Sequence, residues 1–566
     1  MKTKKLLLGM IIAGCSIASL QAKSIYYVKV NGTGTGASWS NAAGNVQDMI
    51  DKAVAGDEVW VAAGTYIPTT QTDANDNLSR TFLIKNGVNL YGGFAGNEAS
   101  IDDRAKSDMD GNGKVEAWEF TNETILSGKL DGTIDVWKQT SFFGQAWVWS
   151  ISGSNANCKT VVTCGAEVTD ETIFDGFTVS DGNGNAGIWT QGNTVIQNCI
   201  VAFNSAGITN VIGTVTNSHI YINAGRGVYN RTGTISYCTI EKNASYTGSI
   251  AIKIDGGIYN LGGDIVNCIV MNNQIIAYQL YSSNTVPYVY GGGIYNDSGK
   301  IDKCIVANNT ILCYNAATNG NGNGYVSANA LGGGIYNTNS AGIVSNCCVF
   351  NNRGTAIKSS NMIGAVANES GGGISGGTVY NSTVVNNKCD GSELNSTSIN
   401  CISTTSTLNQ NFVRPSTFVG TTTSQEVLNT ILNSDWRLIE GSQYIDAGSL
   451  DNLPDWLISG TDLAGNSRTH DGKISKGAYE YDASYTSIKE LPSQSGISIS
   501  PSPATDFVTV SGLQGNETLY FYNINGQLLI TSKAAGETEN IPVSNLPSGI
   551  YLLKVDNGQT VKWIKK

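Results

Sequence analysis

The stretch Asn198-Cys199-Ile200-Val201-Ala202-Phe203-Asn204 decides the fold, because versions of it return six more times along the chain. Each copy has Cys or Ser in its second position, Val or Ile in its fourth and Asn in its seventh. The further copies begin at Asn217, Tyr237, Asn267, Lys303, Asn346 and Asn381. A self-similar unit of about 20–50 residues is typical of a solenoid, in which stacked units bury one continuous core.

Two apolar positions precede each copy. Three residues before the Cys/Ser position stands an aliphatic side chain, and farther upstream a Gly is followed by another aliphatic one. The first set is Ile196, Val215, Ile235, Ile265, Ile301, Val344 and Val379. The second set is Ile188, Ile208, Val228, Ile258, Ile294, Ile335 and Ile374. Side chains alternate along a strand, so the first set faces inward only if a bend separates it from the Cys/Ser position.

The spacing of the copies selects the type of solenoid. Successive Cys/Ser positions are 19, 20, 30, 36, 43 and 35 residues apart. A minimum unit of about 20 residues is too short for a strand and a helix, so we predict an all-β parallel β-helix. The additional length lies in 274–290, 310–331 and 353–370, which we expect to project together as a lip.

Composition excludes some partners. The chain has 566 residues and a net charge of −11, which argues against nucleic acid or an anionic membrane as the main partner. Residues 1–22 form a predicted secretory signal peptide, since Lys2, Lys4 and Lys5 precede an apolar run and small residues end near Ala22. The alternative is a lipoprotein signal, which would leave Cys15 acylated. No later segment is long and apolar enough to span a membrane.

Export permits disulfides. The repeat cysteines nevertheless form one inward column, which favours a ladder of buried thiols over bridges along the column. If disulfides form, the favoured pairs are Cys158–Cys164 and Cys389–Cys401, which each close a short loop, although the sequence alone does not fix the connectivity.

Residues 23–100 are predicted to begin the solenoid. A strand at 25–30 precedes a helix in which Val46, Met49, Ile50, Ala53 and Val54 share one face. That helix is expected to cap the open end of the core. Residues 101–135 then form an insertion, and 136–481 the main β-helix.

The insertion holds a candidate metal site. Segment 108–119 has oxygen ligands or carbonyls at the spacing of a twelve-residue calcium loop, with Gly113 at the sharp turn. The predicted ligands are Asp108, Asp110, Asn112, the carbonyl of Lys114, Glu116 and Glu119. The alternative is an acidic, Gly-rich surface turn. Because the loop precedes the main coils, we expect calcium to have a structural role there.

Several segments resemble secreted Bacteroidetes β-helix proteins of the pectate-lyase-like superfold, of the choice-of-anchor type. They are 38–42, 56–66, 90–94, 124–128, 174–179, 436–438, 445–448, 462–466 and 477–481. The resemblance covers roughly 25–481 and implies a right-handed coil. Ser475 and Lys476 stand where such proteins usually carry Asp, which leaves that local contact open. The superfold hosts lyases, hydrolases, adhesins and scaffolds, so the resemblance implies no single activity.

A polar linker at 482–496 separates a different unit at 497–566. Strands flank a turn at Asn525-Gly526. The unit resembles the sorting domain of the Bacteroidetes type IX secretion system. The residues that carry the resemblance are Pro501, Pro503, Ala504, Asn523, Gly526, Gln527, Leu546, Gly549, Ile550, Tyr551, Lys554, Val555, Lys565 and Lys566. The resemblance implies contact with that machinery and a final place at the outer-membrane cell surface or in the medium. An adhesive immunoglobulin-like module is the alternative.

An outward aromatic column is the main functional feature of the repeats. It contains Trp189, Tyr229, Tyr259, Tyr295 and Tyr336. Such rings suit the apolar faces of sugars, and the Asn after each Tyr, at 230, 260, 296 and 337, is expected to offer amide groups to hydroxyls. Stacking that only stabilises the coil is the alternative.

Catalytic signals are sparse. Charges between 185 and 400 are scattered, and His219 occupies an outward position where a surface role is favoured over a catalytic one. We therefore predict a monomeric glycan- or surface-binding protein. The alternative is a polysaccharide lyase or glycoside hydrolase of the same superfold.

Overall fold

The computed structural model describes residues 23–482 and 497–566, apart from gaps at 134, 143, 145, 248–251, 254–255, 280–287, 316–326, 339–340, 359–365, 390–393, 404–435, 503, 524–526 and 557–559. The predicted signal peptide, most of the predicted linker and the turn at Asn525-Gly526 lie outside the described residues. The chain divides into two compact units after Tyr481.

The first unit is a parallel β-helix whose coil passes through three stacks of strands. The first stack contains Arg80–Ile84, Thr160–Cys164, Ala186–Thr190, Ile208–Val211, Val228–Asn230, Ile258–Asn260, Ile294–Asn296 and Ile335–Asn337. The second contains Ile25–Val28, Glu58–Ala62, Asn89–Phe94, Ile173–Asp175, Val195–Gln197, Thr214–Thr216, Thr234–Ser236, Asp264–Val266, Lys300–Asp302 and Ile343–Ser345. Strands Ile374–Tyr380 and Leu394–Ile399 run through both stacks.

The third stack is a separate sheet of ten strands. It contains Gly64–Tyr66, Thr124–Ser127, Thr178–Ser180, Ile200–Ala202, His219–Tyr221, Thr239–Glu241, Ile269–Met271, Ile305–Ala307, Cys348–Phe350 and Thr383–Val385. Successive coils pair in parallel, as Ile235 does with Ile265 and Ile240 with Val270. The structure thus confirms the predicted fold class.

One residue in the left-handed conformation makes the predicted bend between the second and third stacks. Its φ is 53° at Asn198, 46° at Asn217 and 52° at Tyr237. Asn adopts this conformation more readily than most residues, which accounts for its frequency at the first position of the repeat. Because of the bend, Ile196 and Cys199 both point into the core.

The seventh-position asparagines form a buried ladder at the next corner. The Nδ2 of Asn204 donates to Oδ1 of Asn223 at 3.2 Å, and Asn223 donates likewise to Asn243 at 2.8 Å. The same contact continues from coil to coil as far as Asn387. Buried amides need such partners, so the ladder requires Asn at this position in every coil.

The repeat cysteines are buried thiols, as predicted. The Sγ of Cys199 donates to the carbonyl of Gln197 at 3.1 Å, and burial raises the pKa of this thiol to about 12. The two disulfide pairs favoured from the sequence are wrong, since neither Cys158 and Cys164 nor Cys389 and Cys401 are joined. Cys158 and Cys164 instead lie in the apolar core, where burial raises the pKa of each thiol to about 12.

The three insertions, joined by two shorter strands from the preceding coil, form a lip of two parallel sheets. One contains Ala244–Thr247, Gln274–Gln279, Thr310–Asn315 and Arg353–Lys358, and the other Ile252–Lys253, Tyr288–Tyr290, Ser327–Leu331 and Val366–Ser370. The predicted start of the main β-helix at 136 is wrong. Strands Val136–Phe142 and Ala146–Ser152 pair antiparallel as a hairpin, whose Ala146 packs against Ile276 and Leu312 of the lip. An insertion has no repeat partner, so its end was not visible in the repeat pattern.

The predicted N-terminal helix is Val46–Lys52, and it buries Val46, Met49 and Ile50 in the core. Val54 is 46% exposed, so its assignment to the buried face is wrong, because the helix ends before it. Short strand Thr70–Gln71 pairs antiparallel with the strand that begins at Arg80. The described residues also include four 3-10 turns, at Trp39–Asn41, Asn77–Ser79, Ile101–Asp103 and Ser154–Ala156.

Residues 436–481 are not coils, in contrast to the predicted extent of the β-helix. The described part contains the short helix Asp455–Ile458 and turns held by side chains, such as Asp462, whose Oδ1 accepts from Ala464 and Asn466. Trp436 from this segment contacts Phe350 at 5.6 Å, and Tyr479 belongs to the same apolar cluster on the outer face of the third stack. The Gly- and Asp-rich motifs here therefore encode turns that cover the late coils.

The second unit is a small antiparallel β-structure. One sheet contains Ser498–Ser500, Phe507–Ser511 and Thr538–Pro542, and the other Thr518–Asn523, Leu528–Lys533, Gly549–Val555 and Thr560–Lys565. Its own core includes Phe521, Tyr551 and Trp563. A separate core is typical of an independently folding domain.

Candidate functional site

The predicted tyrosine column lies on the outer face of the first stack. Strand register aligns its members, so the ring centroids of Tyr229 and Tyr259 are 5.0 Å apart and those of Tyr259 and Tyr295 are 4.9 Å apart. Tyr336 follows at 5.7 Å from Tyr295. The guanidinium of Arg226 lies 5.2 Å from the Tyr229 centroid at one end. The rings are therefore in contact from coil to coil, two pairs stacked and the Tyr259–Tyr295 pair edge to face, which favours the stabilising alternative.

Trp189 stands apart from the tyrosines, because Thr209 occupies the position between it and Tyr229. It lines a separate cleft of about 240 Å³ together with Lys159 and Gln191. Among the described residues, its buried indole Nε1 has no hydrogen-bond partner. Trp189 thus offers a donor, but it does not extend the tyrosine stack.

The asparagines after the tyrosines do not face solvent. Asn230, Asn260 and Asn296 are fully buried. The Nδ2 of Asn230 donates to Oδ1 of Asn260 at 2.7 Å, and Asn260 donates to Asn296 at 2.8 Å. The expectation that these amides bind sugar hydroxyls is wrong, because alternation places them inside the coil as a second ladder.

The acidic loop 108–119 closes around its carboxylates. Oxygens of Asp108, Asp110 and Glu119 lie within 4.8 Å of one another. Asp108 Oδ2 accepts from the backbone N–H of Gly113 at 2.7 Å, and Gly113 has a φ of 85°, which suits Gly at this sharp turn. Glu119 is only 3% exposed, and its two oxygens accept from the N–H groups of Met109 and Glu116.

The other predicted ligands join this cluster. Asn112 donates through Nδ2 to Asp110 at 3.2 Å and to Glu116 at 3.0 Å. The backbone N–H of Lys114 donates to Asn112 at 2.8 Å, whereas ligation by the Lys114 carbonyl stays a prediction. Burial raises the pKa of Glu119, and burial with the charges of Glu119 and Asp108 raises the pKa of Asp110. A divalent cation among these oxygens would remove that repulsion, so the donor set fits calcium.

The loop lies against the outer face of the third stack. The indole of Trp118 lies 5.4 Å from the imidazole of His219, which stacks on Tyr221 at 4.3 Å. Nε2 of His219 is 3.1 Å from Oε1 of Glu241, and the His219 side chain is only 17% exposed. His219 keeps the predicted outward position, but the insertion covers most of its side chain, which the sequence did not indicate.

Aromatic contacts continue from His219 to the hairpin. Tyr221 contacts Phe203 at 6.0 Å, and Phe203 contacts Trp137 at 5.5 Å. The chain of contacts then passes to Trp149 at 6.3 Å and on to Trp147 at 5.3 Å. We call this set the aromatic arc, and its members are Trp118, His219, Tyr221, Phe203, Trp137, Trp149 and Trp147.

Hydrogen bonds fix the hairpin end of the arc. The indole Nε1 of Trp149 donates to the carbonyl of Lys242 at 2.8 Å, and the backbone N–H of Trp147 donates to Gln274 at 2.7 Å. Two insertions, the acidic loop and the hairpin, thus both contribute indoles to one face of the coil.

A cleft of about 330 Å³ lies beside the loop end of the arc. Its lining includes Trp118, Phe120, Phe177, His219, Tyr221, Asp110, Glu119, Glu123, Glu241 and Lys242. Aromatic walls with a few convergent polar groups are typical of ligand sites. Among the described parts of the chain, this cleft combines these features with a buried carboxylate, Glu241, which is 6% exposed.

This cleft could not be predicted from the sequence, because it forms where an insertion packs on the coil. Tyr221 and Glu241 occupy the same outward position in successive coils, so the repeat spacing already indicates that they are neighbours. The place where loop 108–119 meets the coil has no periodic signal. Only the packed structure brings Trp118 onto His219.

Comparison with known proteins identifies the second unit. Residues 498–566 match the family described as the secretion system C-terminal sorting domain, and they belong to it. The domain marks the chain for export by the type IX secretion system, to the cell surface or the medium, and implies contact with that machinery. Among the helices of the described residues, none has the length and apolar character to cross a membrane. No curated protein matches the sequence.

Solved structures similar to this chain include pectate lyase Pel9A, with 16% identity, a TM-score of 0.39 and coverage of 82% of this chain and 98% of that one. A rhamnogalacturonan lyase has 12% identity, a TM-score of 0.27 and coverage of 72% and 98%. A polygalacturonase from Erwinia carotovora ssp. carotovora has 12% identity, a TM-score of 0.23 and coverage of 65% and 91%.

Proposed function

We propose that this exported β-helix acts as a monomer that binds a polysaccharide or cell-surface glycan in the cleft beside the aromatic arc. The observation that carries the proposal is the chain of aromatic contacts that begins at Trp118 and continues through His219 and Tyr221. It borders a cleft that also presents carboxylates. Sugars combine apolar ring faces with many hydroxyls, so they match a wall of this composition.

The position of the cleft suits an extended ligand. The arc runs from the acidic loop to the hairpin, across strands of consecutive coils. A polymer can therefore contact several rings at once, whereas a small ligand would contact one or two. Several weak ring contacts along one chain give useful affinity without a deep pocket.

We further propose that loop 108–119 holds calcium as a structural ion. The support is the convergence of Asp108, Asp110 and Glu119 and the burial of Glu119. Bound there, calcium would order the segment that carries Trp118. The ion would thus preserve one wall of the cleft rather than take part in chemistry.

The tyrosine column has a different role in this proposal. Its rings line neither of the two clefts described above and contact one another from coil to coil, so we assign Tyr229, Tyr259, Tyr295 and Tyr336 to stabilising the coil. Trp189, which lies outside that stack, remains a candidate for a second, weaker sugar contact.

A second candidate function is cleavage of the bound polymer, as a lyase or hydrolase. The hydrogen bond between His219 and Glu241 inside the cleft favours it, because a positioned His–carboxylate pair can move protons. Binding remains the first proposal, because the arc extends well beyond this pair.

A panel of plant, algal and host polysaccharides tests both functions. Binding is measured by isothermal titration, and products are measured as new reducing ends and as absorbance from unsaturated sugars. Binding without products supports the first proposal, and products that disappear in His219→Ala support the second. If no polysaccharide binds or reacts, both proposals fail.

A further inference from the structure

The charge of the cleft is strongly one-sided. Its lining contains four carboxylates, those of Asp110, Glu119, Glu123 and Glu241, against Lys242 and the imidazole of His219. An anionic polymer that enters must approach these like charges. Such juxtaposition disfavours binding and is a common source of selectivity.

One of these carboxylates has an unused oxygen. Glu241 is 6% exposed, and its Oε1 is paired with His219 at 3.1 Å. Its Oε2 is buried and has no hydrogen-bond partner among the described residues. A buried acceptor without a partner is costly, so a ligand that donates a hydrogen bond to it gains affinity.

The charge of Glu241 strengthens the need for a hydrogen-bond donor on the ligand. Burial alone would raise the pKa of its carboxyl, but the hydrogen bond and charge of His219, together with Lys242, lower the pKa below its ordinary value. The group is therefore ionised at neutral pH. An ionised acceptor discriminates sharply between a donor and another anion.

Calcium bound in loop 108–119 would not make the cleft attractive to anionic ligands. The loop supplies its own carboxylates and carbonyls around the ion, in the manner of a twelve-residue calcium loop. Few coordination positions would then remain for a carboxylate of the ligand. Glu123 and Glu241 lie outside the predicted ligand set and keep their charge.

We infer that the cleft selects sugars that present hydrogen-bond donors, hydroxyl or ammonium, and rejects uronates and sulfated sugars. This inference rests on the proposed glycan binding and adds the class of glycan. Trp118 and Tyr221 would contact ring faces, while Glu241 Oε2 would accept a hydroxyl or ammonium hydrogen. Glu123 is exposed at the rim, where its charge would repel an approaching anion.

The test compares three hexasaccharides of equal length at low salt. One is a neutral glucan or mannan, the second is a chitosan hexamer with free amines, and the third is hexagalacturonate. We expect the neutral or amino sugar to bind at least about tenfold more tightly than hexagalacturonate. A larger affinity for chitosan than for the neutral sugar would identify ammonium as the preferred donor, and equal affinities would identify hydroxyl.

Two variants test which carboxylates cause the selectivity against anionic sugars. Glu241→Gln keeps the shape of the side chain but removes its charge, and we expect roughly tenfold weaker chitosan binding. Glu123→Gln, at an exposed position where folding is not at risk, should raise affinity for hexagalacturonate. Glu171→Gln, another exposed glutamate outside the cleft, is the matched control and should change neither affinity.

The outcomes separate this inference from the proposed function. Hexagalacturonate that binds as tightly as the other sugars, or more tightly, overturns the selectivity but leaves glycan binding intact. Selectivity that persists unchanged in both variants overturns the assignment to Glu241 and Glu123. Absence of binding to all three, and to the wider polysaccharide panel, overturns the proposed function and this inference with it.

Discussion

The outer faces of the first and third stacks are built on the same coils but differ in what covers them. On the first stack, identical residues recur in register, and Tyr259 contacts its own kind in both neighbouring coils. On the third stack, the outward positions vary from His219 to Thr239 to Ile269, and insertions lie over them. Repetition lets like rings stack along the coil, whereas variation brings rings and carboxylates together around a cleft.

The first prediction tests whether both faces belong to one independent unit. Deletion of 497–566 should leave a folded β-helix, with both faces intact, that remains in the periplasm, because the sorting domain has its own core. Cell fractionation and circular dichroism measure the two results. Surface display of the shortened chain would contradict the role of the tail, and an unfolded product would contradict the independence of the unit.

The second prediction concerns the repetitive face. Asn260→Ala leaves one Nδ2 hydrogen of Asn230 without an acceptor, while the other keeps the carbonyl of Gly233, and it removes the donor to the carbonyl of Gly263. Each buried group left without a partner costs about 1–3 kcal/mol, so unfolding should become easier by about 2–6 kcal/mol. Denaturant melts measure the change, with Asn193→Ala as the control because Asn193 is exposed. Equal effects of the two changes would show that the ladder contributes little.

The third prediction concerns the variable face and its metal. At a calcium concentration one hundred times the dissociation constant, binding should stabilise the fold by about 2.7 kcal/mol, and chelator should remove this. Asp108→Ala and Glu119→Gln should abolish the response to chelator. Asp102→Asn, an exposed acid outside the predicted ligand set, should retain it. A melt that is the same with and without chelator would eliminate the calcium proposal.

The two faces also differ in how much of each could be predicted from the sequence. The periodic parts were predictable, since Ile196, Cys199 and Asn204 each repeat and each has one physical reason for its place. Asp108, Asp110 and Glu119 were predictable as a cluster because their spacing is local. The contact of Trp118 with His219 was not, because it joins an insertion to a coil across distant sequence and depends on packing alone.

The tyrosines show what could not be predicted from the sequence even within the periodic coils. Alternation correctly predicted that Tyr229 points outward, but it carried no information about whether its ring face meets solvent or another ring. That depends on strand register between coils, which places Tyr259 directly beside it. The asparagine error has a different origin, because alternation from Tyr259 already places Asn260 inside and this position was predictable from the sequence.

The central claim is that the variable face binds the glycan and the repetitive face stabilises the coil, and a paired measurement on Trp118→Ala and Tyr259→Ala tests it most directly. We predict that Trp118→Ala weakens glycan binding roughly tenfold, as for a central aromatic contact, with little change in the melt. Tyr259→Ala should lower stability by about 2 kcal/mol, through the loss of two ring contacts and some burial, and keep the affinity. Tyr259→Phe, which keeps the ring, should retain both properties. The reverse result, with binding lost in Tyr259→Ala and unchanged in Trp118→Ala, would contradict the account and return the glycan site to the tyrosine column.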